Sequence, residues 1–227
     1  MSEYAAALAE IIALAIAIAV SPLPVSAALM VLTSSGGRRL GVLFTIGWAG
    51  GLLLGITLAS LGGAVLPDGA VGGRDPYPIV PTLAGMLLVG LGLVQWRRAG
   101  RREPDAPPPK WITALDNLTP VRVALAGALL AILKPKNIAV LIASGIIVGR
   151  LPLTLGETAG FLAVFVLIAS STVVAPVLVY LLGGERVRSG IDFVRTWVVT
   201  NMSRISAVIL VLVGAVLSTI GAIDLLS

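Results

Sequence analysis

The sequence contains neither cysteine nor histidine. Disulfides and thiol catalysis are therefore excluded, and so are histidine metal sites and an imidazole base. Charge is scarce, at 12% of 227 residues, and aromatics make up only 5%. No clustered pair of carboxylates is placed to do chemistry, and no GxxxxGK[ST] phosphate loop is present. An enzyme is the weakest reading of such a chain, and no catalytic residue, metal or cofactor is called for. Any drive by ATP would have to come from a partner.

What is abundant is apolar. The hydrophobic share is 57% and the mean hydropathy is +1.04. That is the composition of a polytopic membrane protein, and the length allows about six spans of ~20 residues with short loops. The first runs from about Tyr4 to Ser34 and is interrupted by Ser21-Pro22-Leu23-Pro24. Ile11 to Val20 could pass for a signal-peptide core, but Glu3 and Glu10 stand where a basic leader would be, so a retained span is expected. The second span is Leu40 to about Val65, where Gly47, Gly50, Gly51 and Gly55 permit close helix contact. The third is Ile79 to Trp96.

A basic, proline-rich linker follows, residues 97–120, dividing a first half (1–96) from a second (121–227). The fourth span is Val121 to Val148 and the fifth Thr158 to Leu182, with Pro176 as an expected kink. Residues 185–204 mix arginines with Ile191, Phe193 and Trp197, which suits an interfacial helix. Ile205 to Ile223 makes the sixth span.

The +5 net charge does not indicate nucleic acid, because its distribution follows topology. The first, third and fifth connections hold two, six and four lysines and arginines, against only Arg74 and Arg150 in the second and fourth. This positive-inside bias puts both termini outside a plasma (inner) membrane.

The stretch that organises the chain is Leu133-Lys134-Pro135-Lys136-Asn137, with eleven uncharged residues from Val123 to Leu133 before the first lysine and eleven from Ile138 to Val148 after the asparagine. A cation at the centre of a transmembrane helix costs roughly 2.5–3.5 kcal/mol on insertion scales. Proline also removes a backbone donor. Eleven residues are too few to cross alone, so a snorkelling lysine in a short loop is the lesser reading. A broken helix lining a polar cavity is the better one. The breaks at Ser21-Pro22-Leu23-Pro24 and Lys134-Pro135-Lys136-Asn137 each fall in the first span of their half. Because three spans per half is an odd number, the halves are inverted. The expected fold is thus all-α, with six transmembrane helices as two inverted three-helix repeats and a proline-broken first helix in each.

These two motifs resemble the lysine exporter superfamily. Trp111 to Asn137, with Ala114-Leu115-Asp116 and Leu118-Thr119-Pro120, looks most like its actinobacterial branch, the glycolipid- and sulfolipid-addressing (GAP or Sap-like) membrane proteins. The likeness covers essentially the whole chain. Where the superfamily often has asparagine before the second proline, this chain has Lys134. The resemblance implies translocation across the inner membrane, and in the addressing branch it implies handling of envelope lipids or glycolipids.

Two lysines at mid-membrane without an acidic partner call for an anion, and an ammonium suits phosphate or sulfate. The expected site is an anionic head group held between the breaks by Lys134, Pro135, Lys136 and Asn137 on one side. Ser21, Pro22, Pro24 and Ser26 form the other. Freed N–H groups near Asn137 and Ile138, and near Val25 and Ser26, would reinforce it. Glu157 could pair with a break lysine or carry a proton, or could simply be a helix-start carboxylate; Asp116 is a second candidate for coupling or gating, or a cap together with Thr119-Pro120. Ser170, Ser171 and Thr172 either face the cavity or bond a preceding carbonyl. Trp48, Trp96, Trp111 and Trp197 read as interface anchors.

Three functions follow: a flippase for an anionic envelope lipid or glycolipid, a proton-coupled exporter of a small solute such as an amino acid, or a non-transporting scaffold for a lipid synthase or exporter. A pocket for a cationic amino acid would need carboxylates that the breaks lack. Membrane lipids are obligate partners, nucleic acid is not one, and the glycine-rich spans could form a homodimer face or pack within the bundle.

Overall fold

The structure, a computed structural model, describes residues 2–34, 36–65, 79–99 and 119–226. Among these every element is helical. In chain order they are α1 (Ser2–Ala19), α2 (Pro22–Thr33), α3 (Gly37–Val65), α4 (Ile79–Ala99), α5 (Pro120–Ile132), α6 (Pro135–Arg150), α7 (Leu155–Gly183), a 3-10 turn (Gly184–Val187) and α8 (Arg188–Leu226). Most of the linker, with Asp116 and Trp111, lies outside the described residues.

Both expected breaks are present, and their sequence grammar is the same. An extended residue precedes each, Ser21 at φ −128° and Lys134 at φ −71°, and a proline opens the following helix. Proline is tolerated at that position because the first-turn N–H has no intrahelical partner to lose. The chain bends 54° between α1 and α2 and 69° between α5 and α6. The four pieces are 18, 12, 13 and 16 residues long, each short of the ~20 needed to cross. α3 and α7 are 29 residues each, with mean hydropathy 1.9 and 2.5. The described residues therefore hold two helices long and apolar enough to cross a membrane, or four such spans when each bent pair counts as one.

The contacts divide the chain into two compact units. The first comprises residues 1–66 and 108–196, and in it α3 lies along α5 and α6 while α7 lies along α1 and α2. Each long helix thus packs on the broken pair of the other half of the sequence. The α3 contact depends on small residues recurring every fourth position: Gly47, Gly51, Gly55, Ala59 and Gly63. A Cβ on Gly51 would sit 2.7 Å from the Ala128 carbonyl oxygen, and one on Gly63 2.7 Å from Ile146 Cα. Gly47, Gly51 and Gly55 are therefore used inside the bundle, as small-residue helix seams are, whereas Gly50 and Gly62 face open space. One turn away, Phe44, Trp48, Leu52 and Ile56 form a fully buried ridge. Trp48 is core and not an interface anchor, because its i, i+4 register aligns it with that ridge; Trp96 and Trp197 are half exposed.

α2 is buried almost all round, from Ser26 to Leu32, as a helix without a polar face must be. It ends in a tight turn into α3, where Gly36 adopts φ +126° and a side chain on Gly37 would strike the Leu32 carbonyl. Pro176 lies inside α7 without ending it. The second unit comprises residues 67–107 and 197–227, where α4 meets the distal part of α8 at Gly92, close to Ala207 and Val211. The interfacial stretch and the sixth span, expected as separate elements, are one unbroken helix of 39 residues. No proline or glycine occurs between Ile191 and Val213 to stop it.

Candidate functional site: the meeting of the two breaks

At the end of α1 the regular ladder stops at Val20, and Ser21 N–H turns from Ala17 O to Ala19 O, so the last carbonyls need other partners. Val20 N–H bonds Ile16 O at 2.9 Å and Ser21 N–H bonds Ala19 O at 2.8 Å. Thr172 Oγ1, from the middle of α7, also donates to Ala19 O at 2.8 Å. The Ala17 carbonyl accepts from Lys136 Nζ at 2.6 Å, and Lys134 Nζ donates to Ser21 Oγ at 2.6 Å. Both lysines of the second break thus reach the first, across more than a hundred residues of sequence.

The second break completes itself. Asn137 is fully buried, and its Nδ2 donates to Ala131 O at 2.9 Å and Leu130 O at 3.4 Å, capping the carbonyls that Pro135 leaves open at the end of α5. Turning the amide over would set Oδ1 against those carbonyls, so the orientation is fixed by its partners. Asn137 Oδ1 is then a buried acceptor with no protein donor.

The electrostatics are one-sided. Cations are favoured at helix C-termini and disfavoured at N-termini, by about 0.3–1 kcal/mol each. Lys136 gains from the α1 C-terminus that it touches, yet both lysines also sit at the N-terminus of α6, whose first turn contains no acidic residue. Neither lysine pairs with a carboxylate among the described residues. An ammonium has three donors, and each lysine uses one on the protein, which leaves donors from both for a ligand. The free backbone donors at this end are the N–H groups of Lys136 and Asn137. That of Ile138, expected to be free, bonds Lys134 O at 2.9 Å as the first intrahelical bond.

The remaining candidates divide. Ser21 is buried and in contact with Lys134, whereas Ser26 Oγ is turned back to Pro22 O at 2.8 Å within its own helix. Pro22 and Pro24 shape the break, and among the first three positions of α2 only Leu23 has an N–H. Pro135 sets the start of α6. Glu157 is exposed at the start of α7, where its carboxylate accepts from Thr154 N and Thr154 Oγ1 at 2.8 and 2.7 Å in a complete capping box. Thr119 occupies the N-cap position of α5 without a side-chain bond. Ser171 bonds the preceding carbonyl of Ile168 at 2.7 Å, and Ser170 is buried with its hydroxyl unpartnered. Of the two alternatives for Thr172, a cavity-facing hydroxyl or a bond to a preceding carbonyl, the structure shows the hydroxyl bonded not to its own helix but across helices to the first break, a partner that the sequence did not name.

Neither curated proteins nor solved structures returned a match to this chain. The family model described as Sap, sulfolipid-1-addressing protein, matches residues 11–222, which include both breaks and all but the ends of the chain. The chain belongs to that family.

Proposed function

We propose that the protein translocates an anionic envelope lipid or glycolipid across the inner membrane, its head group held where the two broken helices meet. The observation that carries this reading is the pair Lys134 and Lys136, drawn together at the first break with spare donors and no carboxylate partner among the described residues. Lys134 is half-buried and Lys136 exposed on the bundle; a cation at the level of a transmembrane break without a counter-ion is costly, and a phosphate or sulfate supplies both the charge and the acceptors. The family's description, sulfolipid addressing, points to the same class of cargo. The reciprocal packing of α3 and α7, each 29 residues long, on the other half's broken pair supports two inverted repeats with six crossings. In such a fold the site lies at the repeat interface and is exposed alternately to the two sides.

The test is reconstitution into vesicles with a fluorescent-tagged anionic lipid, following the loss of bilayer protection against a membrane-impermeant quencher. The wild type should speed exchange between leaflets, and Lys134→Gln with Lys136→Gln should slow it at least tenfold while the protein stays monodisperse. Equal rates in both proteins would sink the head-group site.

A scaffold role has one observation in its favour. Lys136, Thr172 and Asn137 already satisfy carbonyls of the breaks, as purely structural kinks require. On that reading neither protein moves lipid, and a lipid-exporting partner co-purifies with both.

A further inference from the structure

A cleft lies away from the breaks. About 530 Å³ in volume, it is lined by Leu29 of α2, Pro176 and Val179 of α7, Val187 of the 3-10 turn, and Ile191 and Val194 of α8. That volume is within the usual range of small-molecule sites, roughly 300–1,000 Å³. The walls are apolar. The polar lining comes from Ser189, the backbone at Gly190 and Arg186, an exposed residue.

The cleft occupies a particular end of the first unit. Leu29 is one turn from the end of α2, after which α3 opens with the exposed Arg38 and Arg39. Arg186, Arg188 and Arg195 follow α7 at the same end, with Glu185 and Asp192 as the acidic residues among them. Arginine is therefore in excess around an apolar slot at a cationic end of a membrane bundle. A slot at the membrane surface with a guanidinium at its mouth fits one kind of occupant. We infer that this cleft binds an anionic membrane lipid, with an acyl chain against Leu29, Val179 and Ile191 and its phosphate at Arg186. Arg suits that role because its planar fork matches phosphate oxygens and it always carries its charge. The site is separate from the one between the breaks, since none of its lining residues belongs to Ser21–Pro24 or Lys134–Asn137. It would stand even if the chain did not translocate lipid.

The experiment uses the full chain in detergent, with dioleoyl phosphatidylglycerol and dioleoyl phosphatidylcholine as probes that differ only in head group. At about 100-fold excess over its dissociation constant, phosphatidylglycerol should raise the wild-type Tm by roughly 5–10 °C, and phosphatidylcholine by clearly less. Arg186→Gln should bring the two lipids to the same smaller shift. Gly190→Phe fills the slot from a position where a Cβ meets nothing within 4 Å, so it should fold normally and, in the Lys134→Gln with Lys136→Gln background, abolish both shifts. Lys134→Gln with Lys136→Gln should retain the preference for phosphatidylglycerol, which separates this site from the translocation site. Equal protection of the wild type by both lipids would overturn the inference. So would undiminished protection of Gly190→Phe in the lysine-variant background, or loss of protection in the lysine variant alone.

Discussion

The contact between Lys134 Nζ and Ser21 Oγ is a test of whether the breaks are joined, and a double-mutant cycle measures it. The bond is short, 2.6 Å, and Ser21 is buried. A hydrogen bond to a charged group contributes about 1.5–3 kcal/mol in soluble proteins. Within membranes, side-chain bonds between helices average only ~0.6 kcal/mol and reach ~1.7, because the unfolded state in lipid also finds partners. The membrane values apply here, but at their upper end, because one partner is charged and the distance is short. Lys134→Met, Ser21→Ala and the double variant should therefore give a coupling of about 1–1.7 kcal/mol. Unfolding in mixed micelles by a denaturing detergent, followed by circular dichroism, reads it. Ser26→Ala is the control: its hydroxyl bonds its own helix at Pro22 O, so it should show no coupling to Lys134. A Lys134–Ser21 coupling no larger than the Ser26 control would refute the joined breaks, and with them the head-group site.

Two further outcomes follow from the packing and the caps. Gly50→Ala and Gly51→Ala are neighbours with the same gain in helix propensity, about 0.5–1 kcal/mol. Only Gly51 abuts Ala128, so overpacking of about 1–3 kcal/mol should leave it less stable than Gly50→Ala by several degrees of Tm in detergent, and equal stabilities would contradict the α3–α5 seam. Glu157→Gln should leave translocation unchanged, since glutamine serves equally in a capping box; a large loss of rate in that variant would restore Glu157 as a proton carrier.

Much of this was legible in the sequence wherever a residue's effect is local. Pro22, Pro24 and Pro135 mark the breaks because a missing N–H acts on its own helix, and the uncharged runs around them fix the helix lengths. Glu157 was readable as a helix-start carboxylate for the same reason, although its partner Thr154 was not named. What was not legible depends on distant partners. That Lys136 would meet Ala17 and Thr172 would meet Ala19 follows from how α6 and α7 lie against α1, which no local pattern encodes. Trp48 was misplaced for a related reason: tryptophan favours interfaces on average, but here its register with Phe44 and Leu52 decides. The continuity of α8 was missed because the charges around Arg195 and Arg204 were read as an ending. Charge alone does not break a helix, because it leaves the backbone ladder intact.

The two breaks are held differently, and this bears on how the site could open. The α5–α6 bend is clasped by α3 through Gly51, Gly63, Gly127, Gly145 and Gly149, where added side chains would meet backbone. Such a seam cannot slide without losing close contact along its whole length. The α1–α2 bend is held by side-chain packing instead: Ile11, Ala15, Ile18, Ala27 and Val31 share a core with Phe165, Ala169 and Val173, and Gly37 and Gly41 of α3 close on Leu32. At the site itself three side-chain bonds are added, from Lys134, Lys136 and Thr172. Each is singly replaceable by a ligand oxygen or by water. On the proposed function, a head group bound through the spare ammonium donors would sit beside the bonds to Ser21 Oγ and the Ala17 carbonyl, so that the atoms that hold the head group would be those that join α1 to α6.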